Sequence, residues 1–254
     1  MNLIIKNKEF KFIKIGQVSL YLETVELSVS DHIEEFRQRF FQVLSFALFS
    51  ISVIFIKITL IVEFLEIPVK EIKFIQLSPG EYFLSTVKIA FYGGLLSSLP
   101  FLISQLILYI LPGLTQSEKK YIPPILIASV ILFNSGLLFA YYVLIPAAVT
   151  FFINYSKNII EPLWSFDQYF DFVLFLFYST GVSFQVPIIQ IIAGLTGLIS
   201  GKQMFYYWRY VILITTIISA VLTPSTDPIT QLCLSIAILF LYFIGATVLV
   251  IYRR

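Results

Sequence analysis

Residues 30–40 read SDHIEEFRQRF and run directly into a long stretch without charge. Asp31, Glu34, Glu35, Arg37, Arg39 and the chain's single histidine, His32, crowd this approach. Ile33, Phe36 and Phe40 recur at helical spacing and form one apolar stripe. Ser30 or Asp31 offers an N-cap, and Asp31 with Glu34 has the spacing of a capping-box-like start. Glu35 and Arg39 stand four apart and Glu34 and Arg37 three apart, so each acid can meet a base across one turn. A positively charged anchor with local ion pairs accounts for Arg37 and Arg39. It does not account for Glu35, because a carboxylate beside anionic headgroups is disfavoured unless something cationic comes to it. Glu118, in LPGLTQSEKKY, raises the same question. It can complement the dipole of the helix that follows, while Lys119 and Lys120 supply positive charge and Pro112-Gly113 stiffens the connection.

Three other polar residues interrupt apolar segments. Gln185, in TGVSFQVPI, lies two before Pro187; a buried amide must find partners or cost a few kcal/mol. It either bonds between helices or forms a polar patch on a concave face. Asp227 follows TPST and reads as the N-cap of a last helix; Gln231, one turn deeper, asks for a polar partner helix if it faces lipid. No HExxH, GxSxG or Walker pattern is present, and His32 alone makes no metal site, so neither enzyme, cofactor nor metal is expected. The one cysteine, Cys233, rules out a disulfide within the chain.

The elements that must position these residues are membrane helices. Of 254 residues 58% are hydrophobic and 13% charged, and the mean hydropathy is +0.91; soluble domains carry about a quarter charged residues. A net charge of +2 without a basic cluster gives no reason to expect nucleic acid. Runs of about 20 apolar residues suffice to cross a bilayer, and the charges divide the chain into an N-terminal tail at 1–28, an interfacial helix at 29–40 and spans at 41–62, 87–111, 121–144, 172–194, 210–226 and 228–252. Lysines interrupt every apolar run of MNLIIKNKEFKFIKIG, so no signal peptide is expected and the first span directs insertion. Six spans return both termini to one side. Lys6 to Lys14, Arg37, Arg39, Lys119, Lys120, Lys202, Arg209, Arg253 and Arg254 make that the inner side.

Six segments, DHIEEFRQRF, LSPGEYF, LPFLISQLILYILPGLTQSEKK, FNSGLLFAYYVLIPAAVTFF, GVSFQVPI and LTPSTDPITQ, resemble, in order and on the right spans, those of TatC, the polytopic subunit of the twin-arginine protein translocase. The resemblance covers nearly all of 29–252. It implies an all-α membrane protein of six helices in a cupped, glove-like arrangement, with both termini on the cytoplasmic or stromal side. It implies a receptor: Glu35 and Glu118 help receive the twin-arginine signal peptide of folded precursors, with Tyr109 an aromatic near that site and Arg37 organising it. Paired guanidinium groups take carboxylates bidentately, which a lysine cannot. The implied partners are single-span TatA/TatB-type subunits, docking near Asp227 and Gln231, and further TatC copies, with proton-motive force driving export. Many bacterial members have glutamate where this chain has Gln185. The glutamine and the TPSTDP turn are similar to cyanobacterial and plastid members, which points to a plastid thylakoid membrane over a bacterial inner membrane. The competing class is a small-solute secondary transporter with Gln185 and Pro187 at a discontinuous midplane site, for which the chain lacks inverted repeats; a third is an insertase-like scaffold indifferent to arginine.

Overall fold

Helix α1 (Val29–Ile56) carries the charged approach into the first apolar stretch without a break. Its 28 residues reach about 42 Å at about 1.5 Å each, beyond the roughly 30 Å of a hydrocarbon core. An interfacial helix at 29–40 and a separate span from 41 are expected from the sequence. The charged turns are instead the overhanging end of the spanning helix, since nothing in SDHIEEFRQRF breaks it. The structure, a computed structural model, describes residues 29–69, 74–110, 119–156, 163–223 and 227–252.

The break comes at Lys57, whose N–H is shared between the carbonyls of Val53 (3.2 Å) and Ile54 (3.1 Å), before α2 (Ile58–Glu66) continues. Carbonyls in the last turn of α2 accept from two tyrosines: Tyr141 Oη donates at 2.9 Å to Phe64 O, which also receives the N–H of Ile67, and Tyr169 Oη donates to Leu65 O at 2.8 Å. Helix α3 (Glu81–Ile110) returns antiparallel to α1, with Phe46 beside Phe101 at 4.8 Å and Ile51 against Gly94. Ala90, Gly94 and Ser98 recur every four residues and are buried. In lipid, where apolar surface gains nothing by leaving the solvent, such small residues bring helices together by close packing.

Helix α4 (Ile122–Phe139) opens with Pro123 and Pro124, whose missing N–H groups fall among those a first turn leaves unbonded. A π turn, Ala140–Leu144, then leads into α5 (Ile145–Ser156). A span closing at 144 ahead of Pro146 is expected from the sequence, yet the chain stays helical to Ser156. The N–H of Ile145 reaches back to Ala140 O, widening the helix where Pro146 has no N–H to give. In the fourth span the proline does divide the helix: α6 (Phe166–Ser183) and α7 (Val186–Leu195) are separate, with Pro187 in the first turn of α7. The chain closes with α8 (Gly201–Tyr206), α9 (Trp208–Leu222) and α10 (Pro228–Tyr252). At 15 residues α9 covers about 22 Å, ending before the 226 expected.

Among the described residues five helical segments are long and apolar enough to cross a membrane, and α9 is a shorter apolar sixth. The observed architecture is therefore the all-α membrane protein expected, with five to six apolar spans. Phe133, Leu144, Ile145, Phe170, Val173 and Leu176 are fully buried where α4 and the π turn meet α6. Two short strands, β1 (Phe74–Ile75) and β2 (Trp164–Ser165), pair in parallel with Phe74 opposite Trp164 and Ile75 opposite Ser165, tying together the segments that precede α3 and α6. The antiparallel alternation collects the start of α1, the end of α3, the start of α4 and the ends of α7 and α10 at one end of the bundle. Strands β1 and β2 mark the opposite end.

Candidate functional site

At the first of these ends, α1 and α3 share a polar seam. Continuous helix places His32, Glu35, Phe36 and Arg39 on one face of α1, and Gln105 and Tyr109, four apart, on the facing side of α3. Glu35 Oε1 accepts from Arg39 Nε at 2.9 Å and from Arg39 Nη2 at 2.6 Å. The remaining arm, Arg39 Nη1, donates to Gln105 Oε1 at 2.8 Å. The guanidinium thus ties the carboxylate to the neighbouring helix, and Glu35 and Arg39 are only 25% and 24% exposed. The imidazole of His32 stacks on Tyr109 at 4.3 Å and 16°, with Phe36 edge-on to the same ring at 5.6 Å. His32 Nδ1 stands 4.0 Å from Glu35 Oε2, and among the described residues Oε2 accepts no hydrogen bond. One oxygen of this acid is fixed and the other is open, beside a flat aromatic face.

Arg37 is elsewhere. It is 64% exposed and pairs with Glu34 at 2.6 Å, on another face of α1. Glu118 lies outside the described residues. Its neighbour Lys119 precedes α4, whose first turns join Ile107 and Tyr121 in one apolar cluster at the Glu35 end.

Gln185 does not present its amide to an open face. It is 4% exposed, its Oε1 accepts from Ser129 Oγ at 2.7 Å and its Nε2 donates to Ser129 O at 3.2 Å. Both ends of the amide are satisfied within the bundle, which is the interhelical role. Asp227 is also buried, and its Oδ2 accepts from Thr230 N at 2.9 Å. It caps α10. Gln231 is half-buried, and its side chain makes no hydrogen bond among the described residues.

Two features are not evident from local sequence. Gln105 is one polar residue in LPFLISQLILYIL, and only the tertiary fold shows it holding Arg39. At the opposite end lies a second polar cluster. Lys88 Nζ donates to Asp167 at 2.8 and 2.9 Å and to Asp171 at 3.0 and 3.2 Å, and Ser85 Oγ donates to Asp167 Oδ1 at 2.7 Å. Glu81 accepts from Ser165 Oγ at 2.7 Å and from the backbone N–H groups of Leu77 and Ser78. The spacing of Glu81, Ser85 and Lys88 on one face of α3, with Asp167 and Asp171 four apart on α6, is the signal that could have found it. The cluster clamps α3 to α6. Lys88→Gln is therefore expected to lower stability by about 1–2 kcal/mol, or about 2–8 °C in Tm, measured on detergent-solubilised protein. Lys57→Gln, at an exposed lysine without an ion pair among the described residues, is the control; equal Tm values for the two variants would show that the clamp carries no stability.

With this geometry in hand, similarity to known proteins identifies the fold. The sequence profile of the family described as Sec-independent protein translocase protein (TatC) matches residues 31–236. An uncharacterized tatC-like protein, ycf43, of Trieres chinensis is 55% identical over 252 residues, spanning 99% of this chain and 94% of its own. The Sec-independent protein translocase protein TatC of Synechocystis is 48% identical over 88% of each chain. The chloroplastic TATC of Arabidopsis thaliana is 47% identical over 87% of this chain and 66% of its own. A crystal structure of the twin arginine translocase receptor TatC in DDM superposes with a TM-score of 0.75 at 30% identity, covering 86% of this chain and 99% of that one. The chain belongs to the TatC family of Sec-independent protein translocase proteins.

Proposed function

We propose that this chain is the signal-peptide receptor and core membrane subunit of a twin-arginine translocase, exporting folded proteins with proton-motive force. The observation that carries the proposal is the state of Glu35: one oxygen pinned by Arg39, which Gln105 in turn holds, and the other unbonded among the described residues at a part-exposed seam. A carboxylate held in this way has lost little further freedom to give up on binding, and its open oxygen suits a guanidinium N–H. The stacked rings of His32 and Tyr109 offer a flat face to the planar group beside it. Glu118, in the connection before α4, supplies the second carboxylate for the second arginine. Arg37, paired with Glu34, organises the charged turns and does not touch the signal. The role is binding, with no bond made or broken.

Relatives from a chloroplast and a cyanobacterium support a thylakoid membrane, and the lysines and arginines of the sequence at the Glu35 end are the reason for placing that end towards the stroma. Single-span TatA/TatB-type subunits dock along the last turns of α9 and the first turns of α10, where Gln231 retains an amide unused among the described residues; further copies of the chain complete the complex. The solute-transporter alternative needs Gln185 at an accessible midplane site, and that amide is already closed on Ser129.

The test is a twin-arginine signal peptide with a photo-crosslinker beside its arginine pair, presented to the full chain in membrane vesicles. Attachment to wild type is expected, falling about tenfold or more with Glu118→Ala and again when Arg-Arg in the peptide becomes Lys-Lys. Undiminished attachment under both changes rejects the receptor role. A crosslinker placed at position 231 is expected to capture a single-span subunit; capture of lipid alone would remove that docking site.

A further inference from the structure

The Glu35 end of the bundle is not electrically uniform. Around α1 its bases are matched, Arg37 with Glu34 and Arg39 with Glu35, and Lys119 and Lys120 follow Glu118 in sequence. The α8–α9 corner differs. From residue 172 to the end of the chain the sequence contains one acid, Asp227, and that residue caps the start of α10 at the far end. The bases in the same stretch are Lys202, Arg209, Arg253 and Arg254. Lys202 and Arg209 are exposed, and neither has a carboxylate partner among the described residues.

This corner is also rigidly built. Gly197, at φ 80°, closes the end of α7, with Leu198 N–H bonded to Ala193 O at 3.0 Å and Gly197 N–H to Gly194 O at 3.2 Å. Ser200 and Gln203 then form a reciprocal capping box for α8. Tyr242 Oη donates to Met204 O at 3.1 Å, and Met204 packs with Ala246 and Leu249 of α10. The outer face of this platform is aromatic: Tyr206, Tyr207, Trp208 and Tyr210 are all exposed, and the Arg209 guanidinium lies 5.6 Å from the Trp208 ring. Directly below, the first turns of α9 expose Leu213 and Ile214.

We propose that the α8–α9 corner is a binding site for an anionic lipid, with Lys202 and Arg209 receiving the negatively charged headgroup and the exposed first turns of α9 receiving its acyl chains. Bare cations, interfacial aromatic rings and a contiguous apolar helix face recur together where a lipid meets a protein. An acidic protein would match the cations but not the apolar face beneath them. The site stands apart from the guanidinium site and does not depend on it.

Native mass spectrometry of the full chain in detergent, titrated with phosphatidylglycerol or with phosphatidylcholine of the same acyl chains, tests this. Wild type is expected to retain the first phosphatidylglycerol about 10- to 30-fold more tightly than phosphatidylcholine, the effect of two basic side chains at a headgroup. Lys202→Gln with Arg209→Gln is expected to abolish the difference, and Lys119→Gln with Lys120→Gln to leave it intact. If the first pair fails to fold, Arg209→Gln alone is expected to lose about three- to tenfold and Arg209→Lys to keep most of the preference. Equal retention of the two lipids by wild type, or equal loss in both double variants, overturns the site. Displacement of the lipid by a soluble acidic peptide assigns the surface to a protein and overturns it equally.

Discussion

Glu35→Ala is expected to weaken binding of a twin-arginine signal peptide by about 10- to 100-fold, the effect of removing one charged hydrogen bond of about 1.5–3 kcal/mol. The expectation follows from the seam between α1 and α3. Arg39 donates twice to Oε1 and once to Gln105, so the carboxylate is aimed before any ligand arrives. Changing the peptide pair to Lys-Lys should cost the wild-type chain a similar amount, because an ammonium has no planar face to lay on the His32–Tyr109 rings while it donates to Oε2. In the Glu35→Ala chain the peptide change should cost much less, since residues in direct contact do not give additive effects. Arg37→Gln, on another face and already paired with Glu34, should alter affinity by less than about threefold. Equilibrium titration with a fluorescent signal peptide reads all four combinations. Strictly additive losses would show that Glu35 and the arginine pair never meet.

The second large effect is expected from Gly94. A Cβ at this position would lie 2.5 Å from Ile51 Cα and 2.7 Å from Ile51 N. These are backbone atoms of the helix across the crossing and cannot rotate away. Gly94→Val should therefore separate α1 from α3 and cost about 3 kcal/mol or more, lowering Tm by about 6–12 °C or preventing accumulation of folded protein. Because α1 and α3 together form the Glu35 site, any folded fraction should also bind signal peptide poorly. The adjacent glycine is the control: at Gly93 the nearest atom to an added Cβ is the side-chain Ile54 Cδ1 at 3.5 Å, so Gly93→Ala should stay within about 1 kcal/mol. If thermal melts of the two variants coincide, the close crossing at Gly94 is not what sets the helix pair.

What could be read from the sequence follows the reach of each interaction. Asp227 as the cap of α10 is legible because cap and capped N–H are three residues apart. Pro187 as a break is legible for the same reason. Pro146 misleads because one missing N–H can be absorbed by a π turn, and whether it is depends on what surrounds the helix. Gln185 could be recognised as a buried amide, but its partner Ser129 is 56 positions away, and only the packed bundle shows that the amide is satisfied. Helical spacing puts Glu81, Ser85 and Lys88 on one face and Asp167 with Asp171 on another, but that these two faces meet across 79 positions is shown only by the packed bundle. The seam divides in the same way. Glu35 with Arg39 follows from a four-residue spacing, whereas Gln105, which turns that local pair into a bridge between helices, lies 66 positions from Arg39.

The most direct measurement concerns Glu35 and Glu118 together. In a chain with Cys233→Ser, carrying Glu35→Cys and Glu118→Cys, a short bifunctional thiol reagent applied to intact membranes should join the two positions. Absence of any joined product, with each thiol still reacting singly with the reagent, would contradict a shared guanidinium cradle.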